Sequence, residues 1–95
     1  MTDAGQIDLP KTLDHAHATA LRTQIEAHRG MAVSLNANAC DFLGGAGVEL
    51  LLAAHAEWTD TGNAFTIHSM SEKFAAGVTC LGLQNTAPFQ EVSEE

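Results

Sequence analysis

The 95-residue chain has no tyrosine, one tryptophan, two prolines and two cysteines, and its four lysines and arginines face twelve aspartates and glutamates. Each scarcity removes a class of function. At a formal net charge of -8 the overall field repels nucleic acid and anionic membrane, so neither is expected as a partner. Cys40 and Cys80 lack the short spacing of a metal or redox motif, and reduced thiols in a cytoplasmic protein are expected. Met1 to Gln6 is polar and no long apolar run follows, so neither an export signal nor membrane insertion is expected. No internal repeat or low-complexity segment interrupts the chain.

What is present is ordinary in amount: 45% hydrophobic and 17% charged residues, too apolar for disorder. This length supports a single domain over 1–95, with a core of about 6–84 and an acidic C-terminal tail. The acidity keeps a small protein dispersed and also suits a basic partner.

The most distinctive stretch is CDFLGGAGVELLLAA, Cys40 to Ala54. Gly44, Gly45 and Gly47, with only the methyl of Ala46 among them, make a turn that approaches another backbone or presents its own to a partner. The helix that follows is apolar on nearly every side.

Along the chain, MTDAG reads as a frayed start. Ile7 and Leu9 alternate with polar neighbours as in a short strand, which Pro10 stops or confines to an edge. Asp14 caps a helix whose stripe is Ala18, Leu21, Ile25 and His28, with Arg22 and Glu26 paired outside and Gly30 as its stop. MAVSLN, from Met31, suits a buried strand, and Asn36 to Asp41 is a loop by composition. A second helix runs from near Gly45 or Ala46 to about Thr59. Val48, Leu51, Leu52 and His55 form one face, widened by Leu50, Ala53, Ala54 and Trp58, so more than one neighbour should shelter it. The turn Asp60 to Asn63 precedes a third strand, Ala64 to His68. Ser71 then caps a last helix with stripe Phe74, Val78 and Leu81 and stop Gly82. Phe89 and Val92 either add a short strand or belong to a fraying tail.

The order β-α-β-α-β-α predicts a small α/β domain, with a mostly parallel sheet of four or slightly more strands covered by helices. Its chemical resources are few. The five histidines show no metal-ligand spacing, and no metal site is expected. His55 reads as a boundary residue, and His68, at a strand end, as a weak candidate for a binding rim. Gly-Gly-Ala-Gly has neither dinucleotide nor P-loop spacing, and Glu49 would repel an anion there, so no cofactor is expected. Cys40 has no histidine near it in sequence and reads as a small buried apolar residue. No catalytic residue and no enzymatic activity are expected.

In this frame the chain resembles a STAS domain, the family of sulfate-transporter tails and anti-sigma factor antagonists, from Ile7 to about Leu83. AVSLN is similar to the strand leading to the family's Asp-Ser-Ser/Thr-Gly-Leu corner, with Asn36 where Asp is common. GGAGVELLLAA is similar to the corner and its Leu-rich helix, and FTIHSMSEKFAAGVTCLGL to the closing strand and helix. On that pattern Gly44 takes the Asp position, Gly45 the phosphorylated Ser, Ala46 the next Ser/Thr, and Gly47 the Gly. The phosphate acceptor is therefore missing. FLGGAGVELLLAAHAEW looks closest to a branch of short STAS proteins encoded with bacterial chemotaxis genes.

The resemblance implies a non-enzymatic protein-interaction module in bacterial signal transduction, probed by a chemotaxis component or an anti-sigma or kinase-like protein; homodimerisation is compatible with it. The expected partner-binding residues are Asn38, Asp41, Phe42, Leu43, Gly44, Gly45, Ala46, Gly47 and Glu49. Phe42 reads equally as an apolar anchor or as core. A cytoplasmic STAS regulator of a lipid or anion transporter, or an anti-sigma factor antagonist, are the alternative functions. Ser34, Ser69 and Ser71 are acceptors without a motif.

Overall fold

Three four-residue strands build the main sheet: β1 (Gly5–Asp8), β3 (Val33–Asn36) and β5 (Phe65–His68). The structure is a computed structural model describing residues 5–83 and 85–89. All pairings are parallel in the order β1-β3-β5, with Ile7 beside Leu35 and Leu35 beside Ile67. Alternation drives the pairing: Ile7, Val33, Leu35, Phe65 and Ile67 are buried, and their neighbours in sequence are not.

Between these strands run α1 (His15–Glu26) and α2 (Gly45–Asp60). They pack against each other, and Trp58 and His55 of α2 meet Phe65 of the sheet edge-on. Both helices therefore cover one face. The expected helices thus pack on the sheet from one side, and Gln6, Asp8, Ser34, Asn36, Thr66 and His68 form an opposite face that is polar and exposed or half-buried. Small polar residues at every second position make that face tolerable to water, although parallel sheets are usually covered on both sides.

A second parallel sheet joins β2 (Thr12–Leu13) to β4 (Phe42–Leu43), with Leu13 beside Leu43. Neither strand was expected, because two residues carry no readable period. The expected four-stranded sheet is accordingly three strands and a separate pair. The extra strand proposed for Phe89 and Val92 begins instead in a turn: Phe89 is buried and donates its N–H to Thr86 O at 2.8 Å. Val92, the acidic tail and the start 1–4 lie outside the described residues.

The caps follow the chain's local chemistry. Asp14 accepts the His17 N–H at 3.0 Å and opens α1. This helix ends at Glu26, before the expected stop, and the chain turns on to Gly30 at φ +90°. His28 thus lies beyond the helix, half-buried against Gly5. α3 (Glu72–Cys80) buries Phe74 and Val78 and packs on β4. Leu81, expected in its stripe, is instead exposed. The helix stops there because Gly82, at φ +74°, donates to Thr79 O and Leu83 donates to Val78 O, a left-handed termination. The buried apolar side chains of the described residues form one cluster.

Candidate functional site

The glycine corner is held by the small second sheet. Asp41 N–H donates to Lys11 O at 2.7 Å and Gly44 N–H to Leu13 O at 2.9 Å, so β4 runs along β2 directly into α2. Behind it, the Ser71 hydroxyl donates to Cys40 O at 2.6 Å and accepts the Phe74 N–H at 3.0 Å. One side chain thus caps α3 and fixes the loop entering the corner.

Strand alternation decides which expected residues reach the surface. Phe42 points outward and is 53% exposed, whereas Leu43 is buried. Gly45, the first residue of α2, is exposed, and a Cβ there would meet nothing within 4 Å. Gly44 and Ala46 are half-buried, and Glu49, one turn along α2, is exposed. Asn38 is exposed in the preceding loop, its N–H bound to Asn36 Oδ1 at 2.9 Å. Two residues of the expected surface face inward. Leu43 packs toward α3, where a Cβ on Gly77 would touch it, and Gly47 lies against Leu13.

The surface that remains is Phe42 beside the bare backbone of Gly45, flanked by Asn38, Asp41 and Glu49. A Cβ on Gly44 would sit 3.0 Å from the Phe42 ring, so the ring lies over that glycine. Sequence reasoning missed Leu13 of β2 and Lys11 just before it, which shape this surface. Lys11 Nζ binds Asp41 at 2.7 Å, and that hydrogen bond holds the Asp41 carboxyl below the ordinary carboxylate range.

Few groups here do chemistry. Burial pushes the Cys40 thiol up, and its Sγ donates to Phe42 O at 3.4 Å, which suits a packed residue rather than a nucleophile. His68 ends β5 beside Asn36, with Nδ1 2.9 Å from the hydroxyl of Ser69, itself at φ 57°. His17 Nδ1 lies 2.6 Å from Asp14 Oδ1 at the exposed start of α1. Among the described residues no group of three or more His, Cys, Asp or Glu is placed to hold a metal ion, and no helix is long and apolar enough to cross a membrane. What the corner offers is shape: an exposed ring, uncovered backbone and a small acidic margin. No protein-family model matches the sequence, and no curated protein is significantly similar to it.

Proposed function

We propose that this chain is a non-enzymatic protein-interaction module of the STAS kind in bacterial signal transduction, associated with chemotaxis, that docks a signalling partner at the glycine corner. The observation that carries the reading is the pairing of an exposed Phe42 with the open space over Gly45. A large exposed aromatic gives a partner an apolar anchor, and the missing side chain at Gly45 lets it approach the backbone closely. Asn38, Asp41 and Glu49 supply a polar rim around it, as docking surfaces have. By the resemblance, Gly45 stands where phosphorylatable members carry a hydroxyl. Without that acceptor, a kinase has no means of adding at this point the charge of about -1.5 to -2 that a phosphate brings. Docking here is therefore constitutive in this reading.

Gly45→Asp mimics the missing charge. An acid suits the first turn of a helix and the site has room, so the variant keeps the fold. Partners captured from lysate of the source cell by the native chain, and crosslinked through a photoreactive residue at position 42, should be lost with Gly45→Asp. Undiminished capture and crosslinking by the variant would place the interface elsewhere.

A further inference from the structure

α2 carries more apolar surface than the sheet covers. Leu51, Ala54 and Trp58 are buried, but Leu50 is only half-buried and Ala53 is exposed. Both face a groove of about 450 Å³ between α1 and α2, which Ala18 and Ile25 line from the α1 side. The small alanines let another backbone come close, and Leu50 offers an apolar contact.

Three glutamates stand on its rim, and two of them are paired within the protein. Glu26, Glu49 and Glu57 line the groove with His15 and with Arg22, which reaches Glu26 at 3.4 Å. Arg29 binds Glu57 at 2.6 Å and approaches Glu26 at 3.6 Å, while Glu49 makes no ion pair among the described residues. The whole chain adds a formal charge of -8. From Ala46 to Trp58 the groove follows about 18 Å of α2, at ~1.5 Å per residue, the length of three helical turns.

We propose that this groove takes a basic amphipathic helix of a partner protein, its apolar face on Leu50 and Ala53 and a lysine or arginine on Glu49, drawn by the chain's net negative charge. The proposal rests on the reading of the chain as an interaction module and adds a second surface, with the chemistry of its occupant. Helical walls with paired backbones leave an incoming segment no strand edge to extend, so a helix is the element that fits. A second copy of this chain is disfavoured, because it would set acid against acid.

The probe is a fluorescein-labelled 14-residue peptide with leucines spaced i, i+3, i+4, i+7 and lysines elsewhere. Its controls are a scrambled peptide of equal composition and one with glutamates replacing the lysines. Fluorescence anisotropy should show saturable binding of the patterned basic peptide, about tenfold tighter than either control. Ala53→Arg fills the groove, and Glu49→Lys reverses its unpaired acid; both positions are exposed on the helix, so circular dichroism should show the fold retained, and each variant should weaken binding about tenfold. Thr66→Ala, on the open face of the sheet and outside both surfaces, should leave peptide affinity unchanged. Equal binding of the scrambled or acidic peptide, no saturation, or indifference to both groove variants overturns the proposal. Self-association that Ala53→Arg abolishes, without peptide binding, also overturns it in favour of a second copy. Partner capture at position 42 is read separately, and Ala53, unlike Glu49, belongs to the groove and not to the corner, so Ala53→Arg distinguishes failure in the groove from failure at the corner.

Discussion

Gly47 rests directly on Leu13: a Cβ at residue 47 would come within 2.5 Å of Leu13 Cγ and 3.1 Å of its carbonyl oxygen. The first turn of α2 and the two-residue strand β2 thus touch through a position that has no room for a side chain. Gly45, two residues earlier, has nothing above it. Similar residues in one short run therefore answer to different constraints, packing at one and openness at the other.

Gly47→Ala should destabilise the fold by about 1–3 kcal/mol, because the added methyl displaces Leu13 from a filled core. Gly45→Ala should be neutral or stabilise by about 0.4–1 kcal/mol, since α2 accepts it and the unfolded chain loses freedom. Urea denaturation of both variants decides the matter, and equal effects would contradict this assignment of the two glycines.

Ser71→Ala removes both the cap of α3 and the bond to Cys40 O. A loss of about 1–2 kcal/mol is expected. Amide exchange should quicken at Phe74 in the same variant, and an unchanged Phe74 amide would mean the cap is dispensable.

The acid limb of stability follows from two carboxylates. The backbone N–H and ring of His17 hold Asp14 below the ordinary carboxylate value, and Lys11 holds Asp41 there. Since the folded pKa lies below the unfolded one, the contribution is complete above the ordinary value of about 3.9 and is lost as pH falls through the depressed one. Carboxyl titration by NMR should find both groups below that value. Asp14→Asn, which still accepts the His17 N–H, should flatten the decline in urea stability below about pH 4; an unaltered slope would assign it to other groups.

The two thiols should separate cleanly. Cys80 is exposed and Cys40 is buried with its thiol pushed up by desolvation. Ellman's reagent should titrate one thiol at once and the second only in denaturant. Prompt reaction of both would show that the loop before the corner opens.

Much of the fold was legible locally. The alternation at Ile7, Val33, Leu35, Phe65 and Ile67, the caps at Asp14 and Ser71, and the stop at Gly82 are set by neighbours within a few residues. The early end of α1 and the exposure of Leu81 were not, because a helix boundary depends on which carbonyls the turn beyond it satisfies.

For the candidate site, the composition of the corner could be read directly, but its exposure could not. Phe42 reaches solvent and Leu43 does not because β4 pairs with β2, a contact between residues distant in sequence that a two-residue strand cannot announce. The same contact brings Leu13 under Gly47 and Lys11 to Asp41. The chain by itself determined its three longer strands, its helices, its acidity and its lack of a hydroxyl in Gly44 to Gly47, since these are properties of neighbours and of counts. Only tertiary packing decided which face of the sheet meets water, which glycine is bare, and that α2 keeps apolar surface beside α1, because each depends on what a distant segment covers.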